Sequence, residues 1–399
     1  MTLTNEQLKS FGKELDALRA EYAAQIGDAD AEYIRSVRAV ARILRVAGRL
    51  LIQFSLEPVS WGAGVVALGA YKSLENMEIG HNVLHGQYNF MHDPELNSTD
   101  YEWDIVATAK SWKRTHNATH HVLTNVVGRD GDLGFHVLRV SEDVPWNPVH
   151  LFQPLLSPLS GLFFDYSVAS YDLGLVHHLL PGRLKTAAAG AARPLKDVAH
   201  DVWSLVKKVS AKNSVEYVLY PALAGPFAPK VIAGNALANL LRNVWAWAVI
   251  YCGHFPEEDA TFRAEDLAAE DRPRWYARQV QGTSNFELSR LGHLMSGHLG
   301  FQIEHHLFPN MPAWRYPSMA PRVRAICERH GIPYHTGPLH AQFASAMRRV
   351  FRLALPGGSS RPRKTGAERA PESPGISVQP RGRRVRAPAT QEPSAPAVV

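Results

Sequence analysis

Three clusters of histidines form the most informative pattern in this chain of 399 residues. They comprise His81 and His85 in GHNVLHG, His116, His120 and His121 in THNATHH, and His305 and His306 in QIEHH. Histidines four residues apart, as in the first two clusters, project from one face of an α-helix. Neutral imidazole binds iron, zinc, copper and nickel, and none of the clusters is the HExxH box of zinc proteases. Seven imidazoles exceed the four ligands of one tetrahedral zinc, so the pattern favours two metal ions.

The order of the three clusters resembles that of the histidine boxes of membrane fatty acid desaturases. Four segments closely resemble the actinobacterial acyl-CoA desaturases that introduce the double bond of oleate: ENMEIGHNVLHGQ (75–87), THNATHHVLTN (115–125), RNVWAWAVIYCGHFP (242–256) and MSGHLGFQIEHHLFPNMP (295–312). The resemblance extends from about Ile34 to Gly337. One departure lies in the third box, which begins with Gln302 where the animal stearoyl-CoA enzymes have a histidine.

This resemblance implies a cofactor of two iron ions, held by the seven box histidines together with His254 and Gln302. No catalytic residue apart from these ligands is predicted. His298 is predicted to share a helical face with the third box, as a ligand or as a hydrogen-bond donor behind the ligands; the alternative is a surface histidine. The ten histidines that match no box are predicted to lie outside the site: His92, His136, His150, His177, His178, His200, His293, His330, His335 and His340.

Metal-bound histidines usually donate their free N–H to a nearby acceptor, which fixes the orientation of the ring. The candidate acceptors are five carboxylates near the boxes: Glu78, Asp104, Asp130, Asp132 and Glu304. For each of them, a solvated surface position is the alternative.

The resemblance also implies the reaction. O2 is reduced at the iron pair and a cis double bond is introduced into a long acyl chain, carried as acyl-CoA or as acyl-lipid. The sequence contains no HPGG haem-binding segment, cysteine cluster or GxGxxG fingerprint. The two electrons are therefore expected from a separate donor, a ferredoxin-like protein or a flavin reductase.

Two alternative functions remain open at the level of sequence. A membrane hydroxylase of lipids or alkanes would use the same boxes, although the QIEHHLFP form of the third box favours desaturation. A non-catalytic metal-binding or lipid-binding membrane protein could retain the boxes as a structural zinc site. Metal content distinguishes this last hypothesis, because two irons per chain support an enzyme and stoichiometric zinc supports a scaffold.

The predicted fold is all-α, with about four membrane-embedded helices beneath a cytoplasmic helical cap that holds the di-iron site. Residues 59–80 begin apolar and gain charge towards His81, as expected of a helix that leaves a bilayer. Residues 214–228 and 231–253 are predicted to form a hairpin across the membrane, with its turn at Pro229-Lys230. The mean hydropathy of −0.19 is low, and a soluble helical protein would use the same apolar segments as its core.

Two further regions are predicted to lie in the membrane interface. Residues 31–55 carry five arginines at steps of three and four, which form one charged helical face, and arginine is costly at the centre of a bilayer. The first half of this segment is therefore predicted to lie in the interface, and whether residues 48–56 then enter the bilayer stays open. Residues 150–182 are apolar but interrupted by prolines and an aspartate, and an additional pair of crossings is the alternative there. The basic residues in 183–212 favour the cytoplasmic side. The expected location is the bacterial cytoplasmic membrane, with the active site facing the cytoplasm.

The chain is predicted to contain an N-terminal helical cap segment (1–30), a desaturase domain (31–355) and a tail (356–399). The N-terminus lacks the layout of a secretory signal, and two cysteines cannot form a disulfide framework. The tail contains eight prolines, eight Lys or Arg and three Asp or Glu, a composition that predicts disorder. Its positive charge could bind anionic membrane lipid, and a solubilising tail without further function is the alternative. Nucleic-acid binding by RGRRVR (381–386) is not expected, because no basic and aromatic surface accompanies it.

Overall fold

The structure is a computed structural model, and it describes residues 3–174, 194–268 and 270–357. The described residues belong to one compact unit. The predicted tail, except for its first two residues, lies outside the described residues, and so do residues 183–193 of the basic segment.

The described residues are mostly helical, which confirms the predicted fold class in its coarse form. The α-helices are α1 (Asn5–Ala23), α2 (Asp28–Phe54), α3 (Pro58–Ser73), α4 (Asn82–Leu84), α5 (Ala109–Trp112), α6 (His121–Leu123), α7 (Gln153–Leu162), α8 (Phe164–Asp172), α9 (Leu195–Asn213), α10 (Tyr220–Ala224), α11 (Ala228–His254), α12 (Arg272–Gly282), α13 (Arg290–Met295), α14 (Gln302–Leu307), α15 (Tyr316–Arg329) and α16 (Leu339–Ala354). Three segments are π-helical: Leu74–His81, Lys113–His120 and Ser214–Leu219. Two short strands, β1 (Asn285–Glu287) and β2 (Thr336–Pro338), pair in parallel.

Helices α2 and α3 pack closely because glycines face each other at their crossing. A Cβ atom on Gly48 would lie 2.7 Å from the backbone nitrogen of Leu68, and one on Gly64 would lie 2.7 Å from Cβ of Leu51. Only the absence of a side chain permits this approach. Helix α2 continues without a break to Phe54, and its Arg49 reaches inward to the carboxylate of Glu216 at 2.7 Å.

The predicted hairpin in residues 214–253 forms, but its turn lies elsewhere. The chain reverses at the short 3₁₀ turn Gly225–Phe227, where Gly225 has a φ of 55°. The predicted position of the turn, Pro229-Lys230, is wrong: both residues belong to the first turn of α11. Proline is tolerated there because the first N–H groups of a helix have no partner within the helix.

Within residues 3–174, 194–268 and 270–357, no helix combines the length and the apolar character that crossing a bilayer requires. Large apolar side chains are nevertheless exposed along the bundle of α2, α3, α10 and α11, among them Ile43, Leu50, Phe54, Val66, Leu223 and Ile232.

The N-terminal helix belongs to the same hydrophobic core as the third histidine box. Phe11, Leu15 and Leu18 of α1 are buried together with Ile303 and Leu307 of α14. Helices α12 and α15 complete this core. Helix α1, which lies in the predicted N-terminal cap segment (1–30), therefore contributes directly to the support of the third box.

Candidate metal centre

The first two histidine boxes lie on helices that widen into π-helical segments. His81 is the last residue of Leu74–His81, and His85 follows α4 directly. His116 and His120 lie within Lys113–His120, with their ring centroids 5.0 Å apart and their planes inclined by 26°. Such π-helical turns are rare and occur frequently at functional sites. The predicted α-helical spacing is therefore replaced by a wider turn that still directs His116 and His120 to the same side.

The third box forms the short helix α14, which begins at Gln302. His305 and His306 in this helix are completely buried. His298 lies before the helix, in the left-handed region with a φ of 56°. The predicted common helical face of His298 and the box is therefore wrong, because the left-handed residue interrupts the helix. Nδ1 of His298 instead lies 2.9 Å from Oε2 of Glu78.

The histidines of the three boxes converge on one buried cluster, and His254 joins them from the end of α11. The ligand nitrogens lie within 4.8 Å of one another in each of three groups: His81, His85, His116 and His305; His120, His254 and His306; His121, His305 and His306. Since His305 and His306 each belong to two groups, the groups are continuous. Nε2 of His116 and Nε2 of His121 lie 3.2 Å apart, as two ligands of one metal ion would.

Several of these rings are oriented through their second nitrogen. Nδ1 of His116 lies 2.9 Å from Asp132, and Nδ1 of His120 lies 2.9 Å from Asp130. Side-chain amide oxygens take the same role at two other rings, Asn82 for His81 at 3.1 Å and Gln279 for His306 at 3.0 Å. Each contact uses Nδ1, so Nε2 of these four rings is left for a metal ion, as is usual for metal-bound histidine.

The side-chain amide of Gln302 also lies within the cluster. Its terminal nitrogen is placed 2.8 Å from Nε2 of His254. The oxygen and nitrogen of an amide are assigned from their contacts, so either atom of Gln302 can face the ring. Gly253 makes this arrangement possible, because a Cβ atom there would lie 2.9 Å from the Gln302 side chain.

The cluster contains buried nitrogens that have no hydrogen-bond partner among the described residues. They include Nε2 of His85, His120 and His306, Nδ1 of His121 and His254, and both ring nitrogens of His305. A buried polar atom without a partner is destabilising and rare in folded proteins. Their concentration in one place fits a site that binds metal ions through imidazole lone pairs.

The protonation of the cluster also suits metal binding. Burial, and then the charges of neighbouring imidazoles, lower the pKa values of His85, His116, His121, His305 and His306 well below the usual range. Burial lowers the pKa of His81 to about 4. These rings are neutral near pH 7 and offer lone pairs. His120 is the exception: burial lowers its pKa, but the carboxylates of Asp130 and Asp132 outweigh that effect and raise it.

Three of the five predicted carboxylate acceptors contact groups other than the box histidines. Glu78 accepts from Tyr33 and faces His298, and Asp104 pairs with Lys212. Glu304 accepts hydrogen bonds from Asn285 and Tyr334, and burial raises its pKa to about 7. Asp130 and Asp132 are the two that contact box histidines. Of the histidines that match no box, those within the described residues lie outside the three groups; His177 and His178 lie outside the described residues.

The structure adds residues that the sequence patterns did not indicate. Asn82 follows His81 directly, so its position beside the box was available as a signal. Gln279 comes from α12, far from its partner His306 in the sequence, and no local pattern pointed to it. Trp112, one turn before His116, stacks on the His116 ring with a centroid distance of 4.4 Å.

A cavity lies beside the cluster. His81, His116 and His254 form part of its wall, and much of the remaining wall is apolar, including Met77, Ile105, Phe164, Val168, Ala246 and Ile250. An apolar ligand bound in this cavity would therefore lie next to the imidazole rings of the cluster.

Comparisons with known proteins match most of the chain. Residues 58–338, which include all three boxes, match the family model described as fatty acid desaturase. The chain is 37% identical over 358 residues to the NADPH-dependent stearoyl-CoA 9-desaturase of Mycobacterium tuberculosis, covering 89% of this chain and 82% of that protein. It is 24% identical over 336 residues to the sn-1 linoleoyl-lipid 6-desaturase of Synechocystis sp., covering 82% and 89%. A shorter match of 110 residues to human fatty acid desaturase 3 is 34% identical and covers 28% and 23%.

Proposed function

This chain belongs to the fatty acid desaturase family and is an oxidoreductase, and we propose that it introduces a cis double bond at the oleate-type position of a long-chain acyl-CoA. The observation that carries the proposal is the apolar cavity whose wall contains three histidines of the buried cluster. The similarity to a protein named stearoyl-CoA 9-desaturase supports the acyl-CoA carrier and the position of the double bond.

We further propose that nine residues hold two iron ions. They are His81, His85, His116, His120, His121, His254, Gln302, His305 and His306. When bound, the metals supply the oxidising chemistry, since removing hydrogen from an unactivated methylene is beyond any side-chain acid or base. The protein itself holds the imidazole rings of these histidines in position. Asp130 and Asp132 fix His120 and His116, and burial keeps most of the rings neutral.

The cavity would bind the acyl chain and exclude water from it. Apolar walls favour methylene groups at about 0.8 kcal/mol for each CH2 that is buried. Trp112 lines the cavity beside His116 and stacks on its ring, so it would contact the chain and hold the ring. Binding along the wall brings the methylenes to be oxidised close to the cluster.

The overall reaction consumes one O2, two electrons and two protons for each –CH2–CH2– that becomes –CH=CH–, and it releases two molecules of water. The electrons would come from a separate donor, a ferredoxin-like protein or a flavin reductase. The name of the mycobacterial relative, which includes NADPH-dependent, supports a reductase that uses this nucleotide.

The second half of α2, α3, residues 214–224 and α11 would form about four membrane-embedded helices, with the arginine-bearing first half of α2 in the interface and the metal centre in a cap on the cytoplasmic side. Exposed apolar side chains on these helices, such as Leu50, Phe54 and Leu223, support this placement. Membrane association and the proposed crossings can be tested by carbonate extraction and by labelling of single cysteines from each side of the membrane.

The activity is tested by expressing the chain in a bacterial host that makes only saturated fatty acids. Mass spectrometry should locate a new double bond at the oleate-type position, and the His120→Ala variant should yield none. Purified protein should contain close to two irons per chain. A hydroxylated product, or stoichiometric zinc without any product, would contradict the proposal.

A further inference from the structure

The buried carboxylate of Glu78 connects separate parts of the chain. Glu78 lies in the π-helical segment Leu74–His81 and is completely buried. Its Oε1 accepts a hydrogen bond from the hydroxyl of Tyr33 in α2 at 2.8 Å, and its Oε2 lies 2.9 Å from Nδ1 of His298. A carboxylate away from water is unfavourable unless it is hydrogen-bonded. The two contacts together therefore fix the position of this side chain.

The backbone of Glu78 supports the first histidine box directly. Its carbonyl oxygen accepts a hydrogen bond from Nδ2 of Asn82 at 3.0 Å, and Oδ1 of the same asparagine lies 3.1 Å from Nδ1 of His81. One amide thus holds the peptide of Glu78 with its nitrogen and the ring of His81 with its oxygen. A shift of Glu78 would therefore move the group that orients His81.

His298 joins Glu78 to the loop before the third box. His298 has a φ of 56°, a left-handed conformation that residues other than glycine keep only where surrounding contacts hold it. The preceding residue, Gly297, is also left-handed, and a Cβ atom there would lie 2.5 Å from the carbonyl oxygen of Met77. The two segments therefore approach each other at two consecutive residues. The loop then leads into α14, which begins at Gln302.

Tyr33 joins Glu78 to the segment after the third box. Its ring stacks on that of Trp314, with the centroids 5.2 Å apart and the planes inclined by 18°. Nε1 of Trp314 donates to Asp30 at 2.8 Å, so α2 holds this segment at two places. Glu78 is therefore linked to residues on both sides of α14, the helix of the third box.

These contacts act on two ligands that come from different boxes. The ring centroids of His81 and His305 lie 4.8 Å apart, and both residues belong to one of the three histidine groups. Neither belongs to the group that contains His254. Because Glu78 is tied to His81 on one side and to both flanks of α14 on the other, its contacts set the spacing of this pair.

We propose that Glu78, Tyr33 and His298 are positioning residues of the metal centre, which hold the first histidine box against the third so that His81 and His305 bind the same metal ion. They act through the ligands and do not bind the metal themselves. Since the metal ions belong to the proposed function, this role rests on that function.

The test compares two conservative variants of purified, iron-loaded protein. Tyr33→Phe removes one hydroxyl and keeps the ring that stacks on Trp314, and Glu78→Gln leaves one acceptor oxygen for two donors. Each should lower the affinity for one of the two irons by about tenfold, the lower end of the usual effect of losing a group that supports a metal ligand. Chelator titration measures this affinity. In Mössbauer spectra only one of the two iron signals should change, because His81 and His305 lie in one group.

The double variant tests whether the two residues act together. Combining Tyr33→Phe with Glu78→Gln should lower the affinity little more than Glu78→Gln does alone, because both changes affect the same contact. Additive losses would mean that Tyr33 and Glu78 act separately, and would overturn the proposal.

Tyr217→Phe is the matched control, since Tyr217 is also half-buried and its hydroxyl contacts one side chain, that of Asn239 at 2.9 Å. It should keep the iron affinity and the spectrum of the unmodified protein. If Tyr33→Phe and Glu78→Gln lower the unfolding temperature but leave the affinity and both iron signals unchanged, the contacts only stabilise the fold and the proposal is wrong. If Glu78→Gln fails to fold, Tyr33→Phe alone decides. Absence of bound iron or of any double bond with the unmodified protein would instead refute the proposed function.

Discussion

The imidazoles of the cluster differ in the group that holds their second nitrogen. Carboxylates of Asp132 and Asp130 hold His116 and His120, whereas the neutral amide of Gln279 holds His306. Hydrogen bonds to charged groups are stronger than those between neutral groups, and a carboxylate partner makes the imidazole a stronger ligand. We therefore expect Asp130 to contribute more to metal retention than Gln279 does.

Replacing Asp130 by asparagine tests this expectation. The change keeps the size of the side chain and removes its charge, so the affinity for iron should fall by about 10- to 100-fold. Iron per chain is measured after equilibration with a graded series of chelator concentrations. Glu328→Gln is the control, because Glu328 is an exposed carboxylate paired with Arg324. Equal iron retention by Asp130→Asn and the unmodified protein would show that the carboxylate does not support the site.

His254 provides a second test at the level of a single residue, because it lies outside the three boxes. Its Nδ1 is buried without a hydrogen-bond partner among the described residues, and its ring centroid lies 4.7 Å from that of His120. As a ligand it should be essential, so His254→Ala should lose iron and abolish desaturation. A histidine that only interacts with the end of a helix would contribute about 0.3 to 1 kcal/mol of stability.

The control for His254→Ala is His200→Ala, because His200 is exposed on α9. Iron content and product yield are measured for both variants. A fully metallated and active His254→Ala protein would remove this residue from the proposed ligand set.

The spacing of the histidines made the cluster predictable, but the partners of the rings were less so. His81, His116 and His305 stand in boxes whose residue types and intervals carry the signal. Gln279 acts on His306 only because α12 packs beside α14, and that proximity depends on tertiary structure. Closeness in sequence was not a sufficient guide either. Glu78 and Glu304 each lie close to a box in the sequence, but their carboxylates contact groups other than the box histidines.

At the level of elements, the two π-helical segments at the boxes were not predictable from the sequence. The four-residue spacing of His81 and His85 fits an ordinary α-helix, and nothing in LENMEIGH or KRTHNATH signals a wider turn. The break before the third box was equally hidden, because His298 adopts a left-handed conformation that residues other than glycine adopt rarely. The long helices α2 and α11 could be predicted, α2 from arginines that recur with helical spacing opposite an apolar face and α11 from its long apolar run.

The packing of α1 against the third box leads to a prediction at this scale. Leu15 is completely buried in the core that contains Ile303 and Leu307, so Leu15→Ala should destabilise the protein by about 2 to 5 kcal/mol. It should also weaken iron retention, because α14 carries two of the proposed ligands. Denaturant unfolding and iron per chain are the measurements.

Lys13→Ala serves as the control, because Lys13 is exposed on the same helix. If the Leu15→Ala protein is destabilised but keeps iron as tightly as the control, the packing of α1 stabilises the fold without supporting the geometry of the third box.

At the level of the whole molecule, the cluster ties together segments that are far apart in the chain. Its residues come from the first box at and just after the π-helical segment Leu74–His81, from the second box, from the last turn of α11 and from α14. The sequence predicts that these segments meet if they bind one pair of metal ions. The packing of the hydrophobic residues that brings them together became known only from the structure. Metal binding and folding are therefore expected to be linked.

This linkage predicts how iron removal and pH change the stability of the whole protein. A ligand that binds only the folded state stabilises it by about 2.7 kcal/mol at a concentration 100 times its Kd, so iron-free protein should unfold at a lower temperature. In the iron-free fold the pKa of His81 falls from 6.5 to about 4 because the ring is buried. Between those pH values the unfolded chain binds more protons than the fold, so the stability decreases as the pH falls.

Thermal unfolding of chelator-treated protein, followed from above pH 6.5 down to about pH 4, should therefore show a steady loss of stability. Adding iron above pH 6.5 should restore the higher unfolding temperature, because the neutral rings can then bind the metal. His120→Ala should lose most of this iron-dependent gain, whereas the exposed His200→Ala should keep it. Equal unfolding temperatures with and without iron in the unmodified protein would mean that the cluster does not hold metal ions in the folded state.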